Sequence, residues 1–446
     1  MKISVIGMGM SGISAANMMH SKGHNVFVSE REIKEKKEDE IKLLNPGINY
    51  ETGSHTEKMF DAEIIIKSPG VSNNLEILQE AKRKNIEIIS EIEAAYRYVK
   101  ANKIIAVTGT NGKTTTTTLI GEIFRNAGLK TFVAGNIGEP LSDLTNLIDS
   151  SSFVILEISS YQLEDIKQFK PDISVVLNIT PDHLEHHGSM DEYYNSKKRI
   201  TLNQDKNCYC ILNYNDSYCR KMADGIKQGK NPPEIIFFST NHCSEATVCL
   251  HNGKFNVNTG RGKYSFTNNS LLPGRHNLEN LLAALASAVC CRVPQKVIEK
   301  TFGEFKGVEH RLEFAGEIAG VVYINDSKST NVDSTRVALE SYDVPIILIM
   351  GGRHKGFPYT PLKDLIKNKV KTLLLIGEAA KIIKSDLQGV TDIENCVTLE
   401  NAVERARKVA LENYIVLLSP GCSSFDQYKN FEYRGRQFKE LVRNLM

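Results

Sequence analysis

Two short apolar runs, Ile3-Ser4-Val5-Ile6 and Ile104-Ile105-Ala106-Val107, each pass straight into a glycine-rich loop and then into a helix-forming segment. A strand that hands over to a helix rejoins its sheet as a parallel neighbour, so this order commits both regions to α/β architecture. The first loop, Gly7-Met8-Gly9-Met10-Ser11-Gly12, fits G-x-G-x-x-G, and Glu30 stands at the end of the next predicted strand. Its glycines let the backbone approach a diphosphate at a helix N-terminus, and Glu30 is placed to accept from a ribose or base. Alone, that loop reads as a dinucleotide-binding dehydrogenase, or as a tight turn with no ligand. The second loop, Gly109-Thr110-Asn111-Gly112-Lys113-Thr114-Thr115, offers a phosphate-binding lysine in Lys113 and a magnesium-binding hydroxyl in Thr114. The longer pattern G-x-x-x-x-G-K-[ST] requires glycine at position 107, where this chain has Val107. The physical ingredients survive: unusual glycine backbone angles, amides facing phosphates and a fixed positive charge. A hydride-transfer enzyme has little use for an ATP loop, and a simple ATPase has little use for a dinucleotide fingerprint. The pair implies two nucleotide-like ligands, one hydrolysed and one carried as a handle.

Apolar runs and helical patterns alternate along the whole chain, which predicts parallel sheets throughout. At roughly 150 residues per domain, 446 residues suggest three, with boundaries expected near residues 93 and 302: 1–93, 94–302 and 303–446. Strands are expected at 26–28, 64–66, 153–158, 174–177, 321–324, 346–350, 372–376 and 415–418, and helices over 13–20 and 280–291. The mixed charges of residues 31–42 predict a solvated surface rather than a binding tract. Fifty-five basic against fifty-three acidic residues leave a net charge of +2, which argues against a nucleic-acid partner. No stretch approaches the roughly 20 apolar residues of a membrane span and the N-terminus reads as a strand, so no membrane partner and a cytoplasmic location are expected. Nine scattered cysteines without a C-x-x-C pair predict reduced thiols.

Further motifs follow in order. Glu157 closes the predicted strand at 153–158 beside the phosphate loop, where a carboxylate suits a hard cation. Asn178-Ile179-Thr180-Pro181-Asp182-His183 ends the next strand in polar groups; with His186 and His187 nearby, the histidines by themselves would suit a softer ion such as zinc. Asn277 and Asn280 lie three apart, so one helical face can present both amides. Together with Gly135-Asn136-Ile137-Gly138, Tyr193-Tyr194-Asn195-Ser196-Lys197-Lys198-Arg199-Ile200, Pro273-Gly274-Arg275-His276-Asn277, His310-Arg311-Leu312-Glu313 and Asp326-Ser327-Lys328-Ser329-Thr330-Asn331, these motifs resemble the Mur ligase family over essentially the whole chain. The shortened ATP motif of that family accounts for Val107.

The resemblance implies three α/β domains: a Rossmann-like N-terminal domain, a central P-loop ATPase-type parallel-sheet domain and a C-terminal Rossmann-like domain. The first would hold the UDP part of a substrate through Gly9, Met10, Ser11, Ser29, Glu30, Arg31, Ser68 and Gly70, with Asn136 touching the muramoyl group. ATP would be a co-substrate bound by residues 109–115, Asn277, Asn280, Arg311 and Asp326, with two magnesium ions on Thr114, Glu157, His183 and a carbamylated Lys197. The match on Arg199-Ile200 selects Lys197 over Lys198, and His186 and His187 are left as ordinary loop residues. Lys113, His183, Lys197, Arg311 and Lys328 would form the catalytic set, Arg311 reaching the ATP phosphates on domain closure.

Family members differ mainly in the third domain, which selects the amino acid. Gly351-Gly352-Arg353-His354-Lys355-Gly356 and the stretch from Ser419 through Gly435 resemble the D-glutamate-adding members, although Arg353 and His354 depart from the expected pattern. Thr330, Lys355, Ser424 and Phe431 would hold D-glutamate, and the D-N-P-R signature of diaminopimelate- or lysine-adding relatives is absent. The implied activity is ATP-dependent ligation of D-glutamate to UDP-N-acetylmuramoyl-L-alanine through an acyl phosphate, by a monomer. A dehydrogenase, a nucleotide-binding regulator and other ligases sharing the ATP machinery, folylpolyglutamate synthase among them, stand as alternatives.

Overall fold

The computed structural model describes every residue except 260, 261, 271, 273 and 446; Pro273 of the helix-opening motif therefore lies outside the described residues. Three sheets form, each in its own stretch of chain. The first is parallel throughout, in the spatial order Asn49–Thr52, Asn25–Glu30, Lys2–Ile6, Ile64–Lys67, Glu87–Ser90. Ile64–Lys67 is buried at every position, as a central parallel strand covered on both faces must be. The chain runs from the central strand to one edge and then crosses to the other side, which puts the loop after Lys2–Ile6 at the switch point of the sheet. Helix Met10–Ser21 makes the first crossover. Residues 31–42 hold only short helical turns without a buried residue, a solvated surface as their charges predict.

The second sheet has nine strands: Gly262–Thr267, Lys254–Thr259, Val248–His251, Glu234–Ser239, Tyr209–Asn213, Ile173–Val176, Lys103–Thr108, Phe153–Glu157 and Thr131–Gly135. All are parallel except the meander formed by the first three. Lys103–Thr108 lies between Phe153–Glu157 and Ile173–Val176, so the loops leaving these three strands share one end of the sheet. Helix Lys113–Asn126 follows the glycine loop. The third sheet, in the order Glu313–Ile318, Val321–Asn325, Ile415–Leu418, Ile346–Gly351, Val370–Ile376, Asp392–Val397, is parallel apart from its first pair.

The chain divides into two compact units, one of Met1–Asn269 with Glu279–Gly303 and one of Ser270–Leu278 with Glu304–Met446. The first two sheets share the first unit. Helix Arg275–Cys290 begins five residues before its expected start, after Gly274 turns the chain at φ +88°. None of the nine cysteines is disulfide-bonded, and no helix among the described residues is long and apolar enough to cross a membrane.

Candidate active site

The loop after Lys103–Thr108 is shaped by two glycines at positive φ, Gly109 at +151° and Gly112 at +86°. A Cβ on Gly112 would stand 2.3 Å from Asn280 Oδ1, so the loop can pack against Asn280 only without a side chain there. The neighbouring strand braces the loop. Thr110 N donates to Asn178 O at 2.9 Å, Asn111 N to Asn178 Oδ1 at 2.8 Å, and Thr110 Oγ1 to Thr180 O at 3.0 Å. Lys113 arches back over the loop and donates to the carbonyls of Gly109 and Thr110 at 2.9 and 2.7 Å. Thr114 and Thr115 are buried in the first helical turn. A cation beside amides that open a helix is an arrangement suited to phosphate oxygens.

Glu157 ends its strand with a buried side chain. Its Oε1 accepts from Asn136 Nδ2 at 2.8 Å, and its Oε2 is buried with no hydrogen-bond partner. Gly135 makes this approach feasible, since a Cβ there would lie 2.3 Å from the Glu157 carbonyl. An unsatisfied buried carboxylate oxygen beside a phosphate cradle is suited to a hard cation, and magnesium fits this donor set. Lys197 is 1% exposed and donates to the Gly109 carbonyl at 2.9 Å, while its ammonium lies 4.6 Å from the Tyr193 ring. Burial, reinforced by Lys113, holds its pKa well below the ordinary lysine range. That favours the neutral amine, the form that adds carbon dioxide. Lys198, half-buried, points toward Gly225 instead. His183 adopts a left-handed backbone at φ 53° and stands beside Asp182, with its ring edge-on to Tyr161 at 5.2 Å. Burial pushes His187 down to about 4.

In the first glycine loop, each glycine has its own reason. Gly7 needs φ +90°, a Cβ on Gly12 would collide with the Gly7 carbonyl at 2.0 Å, and Gly9 faces open space, where a ligand backbone can approach. Glu30 holds the loop from below: its Oε2 accepts from Met8 N at 2.6 Å and its Oε1 from Glu32 N at 2.9 Å. Ser68 Oγ donates to the Gly7 carbonyl at 2.9 Å. Met10, Arg31 and Gly70 are exposed around the loop and Ser11 is half-buried. Ser29, by contrast, is fully buried and hydrogen-bonds Glu51 Oε1 at 2.6 Å and His55 Nδ1 at 2.8 Å. It therefore orients Glu51 and His55, two residues the sequence reading did not single out.

In the second unit, the loop after Val321–Asn325 wraps around Asp326, whose Oδ2 accepts from Ser329 Oγ and from Ser419 Oγ at 2.9 Å. Burial raises the Asp326 carboxyl to about 6 against the pull of Arg311. Burial and Arg311 also depress His276 to about 3, so the motif at 274–277 and Arg311 share an electrostatic environment. Lys355 Nζ reaches Thr330 Oγ1 at 3.5 Å, and Lys328 lies 5.4 Å from the Phe431 ring. Ser424 is buried and accepts from Tyr428 N at 2.8 Å through its carbonyl. Arg434, 1% exposed, ties three loops together by donating to Ser327 Oγ at 3.0 Å and to the carbonyls of Ser327, Cys422 and Gly351 at 2.8, 3.3 and 3.4 Å. Nothing local in the sequence distinguishes it from a surface arginine.

Comparison with known proteins places these loops in context. The family profiles "Mur ligase MurD-like, N-terminal domain", "Mur ligase middle domain" and "Mur ligase, glutamate ligase domain" match residues 1–90, 107–288 and 310–422. The chain is 42% identical over 448 residues to the UDP-N-acetylmuramoylalanine--D-glutamate ligase of Koribacter versatilis, covering 100% of this chain and 97% of that one. It is 40% identical to the enzyme of the same name from Clostridioides difficile, covering 100% and 98%. Among solved structures, a pseudomurein peptide ligase type C from Methanothermus fervidus aligns with a TM-score of 0.62 at 20% identity over 100% of both chains. A MurF ligase from Thermotoga maritima in complex with ADP aligns at 0.62 and 14% identity over 95% of this chain and 96% of that one.

Proposed function

The chain belongs to the Mur ligase family, and on that premise we propose that it joins D-glutamate to UDP-N-acetylmuramoyl-L-alanine at the expense of ATP, in the synthesis of peptidoglycan precursors. A carboxylate and an amine do not condense usefully in neutral water, so the carboxylate must first be activated. An oxygen of the L-alanine carboxylate attacks the γ-phosphorus of ATP and ADP leaves. The amine of D-glutamate then attacks the acyl phosphate, the C–O bond to phosphate breaks, and the amide and inorganic phosphate are released.

The chain's own groups divide this work. Residues 109–115 cradle the triphosphate, and Lys113 holds charge opposite the transferred phosphoryl group, where fixed electrostatics count most. Asn280 backs that cradle, with Asn277 and Asp326 assigned to the nucleoside. Thr114, Glu157, His183 and a carbamylated Lys197 would hold two magnesium ions, which supply Lewis acidity toward the phosphate oxygens. Carbamylation converts a neutral amine into an anionic oxygen ligand. Arg311 and Lys328 neutralise charge that develops at the reacting centre. The loop at 7–12, with Glu30, Arg31, Ser68, Gly70 and Asn136, binds the UDP-sugar as an anchor. Thr330, Lys355, Ser424 and Phe431 select D-glutamate, Lys355 pairing with its side-chain carboxylate. The enzyme acts as a cytoplasmic monomer and has neither nucleic acid nor membrane as a partner.

The observation that carries this reading is the meeting of a lysine phosphate loop with buried Lys197 and the unsatisfied oxygen of Glu157. A dehydrogenase needs none of the three. The test is ATP-dependent amide formation with L-alanine, D-glutamate, L-lysine and diaminopimelate offered in parallel; the expected product contains D-glutamate alone, and incorporation of another amino acid overturns the assignment. Tight NAD binding with hydride transfer would point to the dehydrogenase. Phosphate release independent of both acceptor and amino acid would point to a nucleotide-binding regulator.

A further inference from the structure

Beside the proposed magnesium ligands lies a second group of donors, on two short helices. Glu164 ends Ser160–Glu164, and His186 and His187 end Leu184–His187. Their side chains converge: Glu164 Oε1 is 2.7 Å from His186 Nε2 and 3.4 Å from His187 Nδ1, and one ligand atom from each residue lies within 4.8 Å of the other two. Bonds of about 2.1 Å to a tetrahedral zinc ion separate neighbouring ligand atoms by about 3.4 Å. The His187–Glu164 pair already has that spacing, and the His186 pair reaches it by opening about 0.7 Å as an ion replaces the shared proton.

Each ligand is also held from behind. The other ring nitrogen of His187, Nε2, shares a hydrogen bond with Ser160 Oγ at 3.0 Å, which aims Nδ1 at Glu164. The other carboxylate oxygen of Glu164 accepts from Asn73 Nδ2 at 2.6 Å and Lys67 Nζ at 3.3 Å, which presents Oε1 to both imidazoles. Tyr161 packs against His186 and His187 at 4.2 and 5.6 Å and limits their rotation. Lys67 also pairs with Asp165 at 2.6 Å, so its charge is shared between two carboxylates. Outer partners that fix a histidine's ring orientation and a carboxylate's angle are the usual support of a metal site.

We propose that Glu164, His186 and His187 bind one transition-metal ion of the zinc class, separate from the magnesium of the reaction. Two imidazoles and a single carboxylate oxygen favour such an ion over magnesium, which prefers six oxygens. The ion ties the segment that carries His183 to the turn that follows Glu157, and three protein ligands leave a fourth position for water or a substrate oxygen.

The test is titration of the full-length protein with Zn2+ in excess Mg2+, with Co2+ absorption as an optical readout of tetrahedral coordination. One tight equivalent is expected, weakened at least about 100-fold in His186→Gln and in Glu164→Gln, and retained in His183→Gln. Thermal unfolding of each variant checks that it is folded, and rescue of ion-induced stabilisation should track binding across the series. Unchanged zinc affinity in folded His186→Gln overturns the proposal. So does the absence of tight binding in the parent protein, or a tight equivalent lost in His183→Gln but kept in His186→Gln, which would place the ion among the magnesium ligands.

Discussion

The loops at 7–12 and 109–115 both carry the chain from a central parallel strand into a helix, and both rely on glycine at positive φ. Their charge differs. In the second loop a lysine bends over the backbone and a buried glutamate and lysine stand close by. In the first, the buried carboxylate of Glu30 is taken up by two backbone amides, those of Met8 and Glu32. The same backbone solution thus serves two tasks. On the proposed reading, one loop places fixed charge where phosphoryl transfer develops it, and the other leaves open space at Gly9 for a nucleotide that is held but not transformed.

That contrast predicts kinetic effects of different kinds. Lys113→Ala removes the charge of the activating loop and should lower turnover by at least about 10²–10³-fold, read as phosphate release at saturating substrates; near-normal turnover would erase the distinction between the loops. Lys197→Ala should also cost most of the activity, but short carboxylic acids should restore part of it by supplying the missing anionic oxygen. If Lys198→Ala is the rescued variant instead, the assignment is displaced by one residue. Gly9→Ala keeps an allowed backbone (φ −83°) and places a methyl where the anchored nucleotide would approach. It should raise KM for the UDP-sugar about tenfold, roughly 1.4 kcal/mol of uniform binding, with kcat little changed. A fall in kcat at saturation would mean the anchoring loop takes part in chemistry. Met10→Ala, which trims an exposed side chain at the same helix start, should change that KM by about threefold or less.

Much of this contrast is legible in the sequence, because each loop is a contiguous string between an apolar run and a helix. The central strands are legible for the same reason: Ile64–Lys67 and Ile346–Gly351 are buried throughout and read as apolar runs. Edge strands are not. Asn49–Thr52 and Asp392–Val397 have no buried position, so neither continuous hydrophobicity nor a clean alternation marks them. Long-range supports are equally hidden. Asn178 braces Asn111 from 67 residues away, and Arg434 reaches Ser327 across 107. Both look like ordinary polar residues until the sheet order brings their strands and loops together. The histidines at 186 and 187 read as loop residues because Glu164, the third member of their cluster, lies more than twenty positions upstream. Lys197 is the intermediate case. The resemblance selects it over its neighbour, while its burial against Gly109 supplies a physical reason that the string of letters does not contain.

The most direct test of the central claim follows one oxygen atom. With UDP-N-acetylmuramoyl-L-alanine labelled by 18O in its alanine carboxylate, ATP, magnesium and D-glutamate, one labelled oxygen per turnover is expected in inorganic phosphate, with ADP as the only nucleotide product. Label that stays wholly in the new amide-bearing product and water, or that emerges in AMP, would contradict activation by γ-phosphoryl transfer and with it the roles given to Lys113, Glu157 and Lys197.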